Sequence, residues 1–259
     1  MRFPDESGRP LVEAVRSAPA GAVLQLAPGR YQGPLVIDRD LSVRGAGDLT
    51  RIMAPPEGGS VVTIDAPGSQ VRLESLLFEG GHAEGGGGLR VLGGEVSLFN
   101  LQVRNCRAED AGGGIYVGGR CEVEAERLRL LGVRAEYGGA VAVRGPGATF
   151  RLFDAELRGV EARRGGAVSV EQGAHLDLEA VTVLRSRASS IEGGQVLWVS
   201  GEPRPSLHLH RVRFGDSPVG RPLVNDAKSP GRIVIEDCDL PRWVRETPGI
   251  VVQGETRWR

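Results

Sequence analysis

Lysine is almost missing from this chain: of 32 basic residues only Lys228 is a lysine, and against 33 acidic residues the formal net charge is −1. That balance gives no general electrostatic hold on nucleic acid or an anionic membrane. The arginine bias fits a GC-rich, bacterial genome. Aromatic residues make up only 5%, which suits a narrow core filled with aliphatic side chains. No run of 18 apolar residues occurs, so no segment is fitted to span a bilayer as a helix. The opening MRFPDESGRPLVEAV has no apolar centre and carries Asp5, Glu6 and Glu13, unlike a secretory signal. The three cysteines, Cys106, Cys121 and Cys238, are an odd number. Without a signal they point to reduced thiols and a cytoplasmic protein rather than a disulfide framework.

Glycine, by contrast, is abundant, at 39 of 259 residues, about twice the usual share of roughly 7%. Much of it recurs as a doublet opening into a β-rich run: GGGGLRV from Gly85, GGGIYV from Gly112, GGAVAV from Gly138, GGAVSV from Gly165 and GGQVLW from Gly193. The first apolar residues after these and equivalent turns are Leu35, Val62, Leu89, Ile115, Val141, Val168, Val196, Leu223 and Ile250. They are spaced by 26 to 28 residues. A fixed period of this length marks a solenoid.

Each period divides into three runs of alternating apolar residues, such as Ile115/Val117, Val123/Ala125 and Leu128/Leu130. Alternation at period 2 is the pattern of a strand with one face buried, and no helical pattern intervenes. The fold class expected is therefore all-β: a single-stranded, right-handed parallel β-helix of about nine coils, three strands per coil, with a short N-terminal cap helix. Stacking like positions predicts two inward ladders. One is Val96, Val123, Phe150, Leu176, Leu207 and Ile233; the other is Phe78, Val103, Leu130, Leu157, Val183 and Phe214. Cys106 falls on a third, with Val133 and Val160, as a core filler. At about 4.8 Å per coil the rod is roughly 43 Å long. The ruler runs without a break, so residues 1–259 read as one domain: a cap over 1–22, coils over 23–240, and a final coil with its cap over 241–259. The cap helix is expected around Leu11 to Val15. The closing segment carries Trp243 and Trp258.

The run from Leu11 to Gly47, LVEAVRSAPAGAVLQLAPGRYQGPLVIDRDLSVRGAG, resembles the opening of pectin-lyase-like right-handed β-helix proteins. The GGA-V repeats are similar to those of chlamydial polymorphic membrane proteins. The second resemblance is partial, because Leu130-Leu-Gly-Val133 and Leu157-Arg-Gly-Val160 stand where that family has FxxN. Both resemblances imply the fold; the first also implies a superfamily rich in polysaccharide lyases, esterases, hydrolases and epimerases.

An enzyme of that kind needs paired carboxylates at about 5 to 9 Å or a Ca²⁺ cluster beside a basic residue. The best candidates are Asp237 and Asp239, two apart in an extended run, with Asp226 a turn earlier and Arg232 on the strand between. The NTD and DD signatures of the superfamily's hydrolases are absent. On the outward side of the second strand, Glu124, Arg151, Asp177 and His208 should stack in consecutive coils as an ion ladder, with His175 and His210 beside them. A flat ladder does not supply the closed geometry of a metal site, and neither a metal nor another cofactor is expected.

The outward side of the first strand reads Val36, Thr63, Arg90, Tyr116, Ala142, Ser169, Leu197, Val224 and Val251, with one charge in nine. An uncharged strip on a rod is a candidate protein interface, centred on Arg90, Tyr116, Ala142, Ser169, Leu197 and Val224. The reading favoured is thus a non-catalytic scaffold or recognition protein that engages a protein partner or itself along this strip. A charge at Ala142 or Ser169 should then abolish association without unfolding the chain. The alternative is a carbohydrate-active enzyme or binder using the acidic groove. Nucleic acid and membrane partners are not expected.

Overall fold

The computed structural model of the protein describes residues 2–4, 10–190, 196–215, 223–225, 231–240 and 250–258. Every strand among the described residues pairs in parallel with its counterpart one coil away, and the chain winds as a parallel β-helix. The stacking follows from the alternation: each coil buries the same positions, so like side chains meet on adjacent rungs. Val96, Val123, Phe150, Leu176, Leu207 and Ile233 are successive register partners. So are Phe78, Val103, Leu130, Leu157, Val183 and Phe214. Nearly all are fully buried.

The N-terminal cap is the helix Leu11–Ser17, which turns Leu11, Ala14 and Val15 onto the first coil. It stops at Ala18, extended as a residue before proline must be. This end therefore leaves no bare lumen.

Three features go beyond the sequence reading. First, the middle coils carry a fourth, short strand just before the glycines: His82–Gly85, Arg107–Ala111, Arg134–Tyr137, Glu161–Arg164 and Arg187–Ala188 form a separate five-stranded parallel sheet. Second, the corner between second and third strands is left-handed in coil after coil, at Ser75, Asn100, Arg127, Asp154, Ala180, Arg211 and Asp237, with φ between 49° and 56°. Third, the ladder of first strands holds eight rungs among the described residues. The expected ninth, at Ile250, belongs elsewhere. Ile250 and Val251 pair with Ile233 and Val234, so the last strand extends the second ladder. The final coil lacks the glycine doublet that would have exposed the shift.

The cysteines are core residues, all buried and free. Burial pushes each thiol up to about 11. At pH 8 only about one molecule in a thousand then carries a given thiolate. The native chain is expected to be inert to Ellman's reagent over minutes and to show three thiols in guanidinium. A fast-reacting thiol in the native chain would contradict this burial.

Candidate functional site

The outward face of the first strand is built differently from the bare strip expected of it. The row Val36, Thr63, Arg90, Tyr116, Ala142 and Ser169 stacks in register as read. The next position is Trp198 rather than Leu197, and Val224 pairs with it. Leu197 sits opposite Val168 and Leu223 and is 0% exposed. Both Val196/Trp198 and Leu197/Val199 alternate acceptably. Placing Leu197 and Val199 inward leaves the larger, amphipathic indole at the rim.

The centre of this row is covered. Ala142 and Ser169 are 0% exposed, because the chain ahead of each doublet folds back across the face. A Cβ on Gly138 would lie 2.7 Å from the Ser169 nitrogen, and one on Gly165 would lie 2.3 Å from the Val168 carbonyl oxygen and 2.9 Å from Trp198 Cβ. Glycine is required at such backbone contacts. A flat protein partner would meet these turns before it met Ala142 or Ser169.

What the turns bring with them is a cluster. Tyr137 and Arg164, register partners at the end of the fourth strands, overhang the row. The Arg144 guanidinium lies 5.8 Å from the Tyr137 ring centre. Arg164 lies 5.9 Å from the same ring and 5.1 Å from that of Trp198. Arginine and aromatic planes thus alternate along the face, a favourable cation–π order. Arg144 donates to Asp110 Oδ2 at 2.6 Å and pairs with Glu171 Oε2 at 3.3 Å. Burial opposes the charge of Arg144, but Glu171 and Asp110 outweigh it and raise its pKa. Tyr116, against Gly85 and over Gly118, has its hydroxyl pKa raised by burial.

Four donors on this face remain unmatched. Among the described residues, the Nε groups of Arg90, Arg144 and Arg164 and the Ser169 hydroxyl are buried without a hydrogen-bond partner. Unpaired buried polar atoms are costly, about 1–3 kcal/mol each, so the packing of this face is held together by its ion pairs and ring contacts instead. Arg90, Tyr116 and Ser169 were singled out from sequence for their position. Asp110, Tyr137, Arg144, Arg164 and Glu171 were missed. Their offsets held the signal: Tyr137 and Arg164 immediately precede a doublet, and Arg144 and Glu171 each follow one by the same interval.

The acidic candidates do not assemble as expected. Asp226 lies outside the described residues. Arg232 stands on the second strand opposite Ser206, on another face from Asp239. Asp237 occupies a left-handed corner, φ 49°, so the run through it is not extended and the two aspartates do not share one strand. Its Oδ1 accepts the Glu255 N–H at 2.8 Å, a turn-capping role. Asp239 stacks between Arg213 and Arg257. Both aspartates do line one open concavity of about 910 Å³ with Arg211, Arg213 and Arg257.

The ion ladder of the second strand forms in the predicted order. Glu124, Arg151, Asp177 and His208 are successive register partners. Arg151 Nη1 lies 3.1 Å from Glu124 and Nε 3.7 Å from Asp177; His208 lies 3.8 Å beyond. Burial tends to raise the Asp177 pKa, but the hydrogen bond from His175 and the charges of His175, His208 and Arg151 hold it below the usual carboxylate range. Its neighbours place His175 Nε2 at 3.0 Å from Asp177 Oδ1 and His175 Nδ1 at 2.5 Å from Ser206 Oγ. No group of three or more ligating side chains among the described residues has the geometry of a metal site.

Fold and faces define the class: a parallel β-helix with an arginine-and-aromatic cluster over its first strand. No family model matches the chain, and no curated protein matches it. Among solved structures it is similar to a pectin methylesterase crystallised in complex with hexasaccharide VII. That likeness is at 15% identity with a TM-score of 0.43, covering 97% of this chain and 79% of that one. It is also similar to Escherichia coli YbhC, at 15% identity with a TM-score of 0.37, covering 90% and 67%. No helix among the described residues is long and apolar enough to cross a membrane.

Proposed function

We propose that the protein is a recognition β-helix that binds an acidic oligosaccharide across the outer face of its first strands. The observation that carries this is the row of part-exposed guanidiniums of Arg90, Arg144 and Arg164 beside the rings of Tyr116, Tyr137 and Trp198. Guanidinium donors match carboxylates and hydroxyls in a fixed fork. Aromatic rings offer flat apolar faces for the C–H side of a sugar. Four rungs separate Arg90 from Trp198, roughly 19 Å, a span for a chain rather than a single sugar. The two carboxylates of the cluster, Asp110 and Glu171, are both engaged by Arg144, so the reading is one of binding. The resemblance of Leu11 to Gly47 to pectin-lyase-like proteins speaks for the fold, and the choice of an acidic ligand rests on the arginines.

Calorimetric titration with a uronic-acid oligosaccharide and with a neutral glucan of equal length tests this. The acidic ligand is expected to bind, more weakly as salt is raised. Arg164→Gln and Tyr137→Ala should each weaken it by at least about tenfold, the scale of a lost charge-assisted or stacking contact. The reading fails if the acidic ligand shows no heat, or if both variants bind it as the parent does.

A further inference from the structure

The ion ladder accounts for Glu124, Arg151, Asp177 and His208, but it leaves one arrangement on the same face unexplained. His175 is held at both ring nitrogens: Nε2 lies on a carboxylate, Asp177 Oδ1 at 3.0 Å, and Nδ1 lies on a hydroxyl, Ser206 Oγ at 2.5 Å. A carboxylate at Nε2 keeps the proton of a neutral imidazole there. Nδ1 is then the acceptor, and the Ser206 hydroxyl donates to it. We infer that Ser206, His175 and Asp177 form a nucleophilic relay that cleaves short-chain acyl esters.

The required order is nucleophile to base to orienting group, each at hydrogen-bond distance. It arises from register: His175 and Ser206 are partners on adjacent coils, and Asp177 is two residues along the strand, so all three face outward. Asp177 is itself steadied by Arg151, which Glu122 and Glu124 hold at 2.6 and 3.1 Å. Ser206 is fixed by its N–H on the Ala174 carbonyl at 2.9 Å. On its other side, one coil on, the register partner is Arg232. A base therefore stands one rung before the hydroxyl and a cation one rung after, each about 4.8 Å away. The face is open and His175 is 40% exposed in its side chain, so a small ester reaches Ser206 without a pocket. Selectivity should accordingly be low.

In the first step Ser206 Oγ bonds to the acyl carbon as its proton passes to His175 Nδ1. The carbonyl oxygen becomes an oxyanion facing the Arg232 guanidinium. The ester C–O bond then breaks, and the leaving alcohol takes the proton from Nδ1. A water, deprotonated by His175, attacks the acyl-serine; the carboxylic acid leaves and Ser206 recovers its proton. Ser206 and His175 are the catalytic residues. Asp177 is a positioning residue that acts through the imidazole.

The test treats the full chain with a fluorophosphonate probe, locates the label by peptide mass spectrometry, and measures p-nitrophenyl acetate hydrolysis. The parent chain should be labelled on Ser206. Ser206→Ala and His175→Gln should each lower kcat/KM by about 100-fold or more. Asp177→Asn should slow labelling, and Asp177→Glu should restore part of the rate, which a merely structural carboxylate would not do. An unlabelled Ser206 in the parent overturns the inference whatever the variants do, as does hydrolysis unchanged in a folded Ser206→Ala. Neither result bears on saccharide binding at the first-strand face.

Discussion

Replacing Gly113 by alanine should destabilise the protein by about 3 kcal/mol, the upper end of the cost of overpacking, whereas the same change at Gly47 should cost only about 1–2 kcal/mol. The contrast separates two uses of glycine. Gly47 has φ +70° and nothing within 4 Å of an added Cβ, so its cost is conformational. Gly113 needs no positive φ, but a Cβ there would stand 2.3 Å from the Arg134 carbonyl oxygen and 2.5 Å from that of Gly139. Those are backbone atoms of the next coil, held by ladder hydrogen bonds, and they cannot swing aside. Its equivalents are as tight: Gly87 would meet the Arg107 oxygen at 2.4 Å, and Gly139 the Glu161 and Gly166 oxygens, both at 2.4 Å. Urea unfolding followed by circular dichroism measures both variants. Equal losses would mean that the coils are not packed backbone to backbone at this corner.

Ala142→Asp is expected to cost about 3–5 kcal/mol, the scale of an uncompensated buried charge. Read as part of an exposed strip, Ala142 accepts a carboxylate with the fold intact. In the structure it is 0% exposed between Tyr116 and Ser169, and the turn at Gly138 lies against the Val141 carbonyl and Ser169 beside it. A carboxylate there loses its water and forces the turn upward. The same urea titration decides, since a truly exposed site would move stability by no more than about 0.5 kcal/mol. A change that small would mean that the turns do not cover the strip.

The contrast at Ala142 shows where the sequence is legible and where it is not. Phe150 and Leu157 can be placed in the core, and Glu124, Arg151, Asp177 and His208 in one row, because strand alternation and a regular repeat are both linear signals. Leu197 against Trp198 was undecidable by that logic, since two registers offset by one residue alternate equally well and only packing separates them. Ile250 failed for a related reason: with no doublet to anchor it, the ruler was carried one strand too far. The clustering of Tyr137, Arg144 and Arg164 depends on the path of the turns in three dimensions. Alternation is silent about a segment that doubles back over its own sheet. Asp237 and Asp239 misled because a left-handed corner interrupts a run that looks extended.

The left-handed corner between second and third strands has a consequence of its own. Serine, asparagine, arginine, aspartate and alanine all occupy it, at Ser75, Asn100, Arg127, Asp154 and Ala180, with nearly the same φ. The winding therefore does not depend on which side chain stands there. At the glycine corner, by contrast, even a methyl group meets main chain. Tolerance to change is thus distributed by angle around the axis rather than by position along it. Divergence of such a chain should accumulate along one edge, altering what that edge displays, while the glycine edge preserves the record of descent.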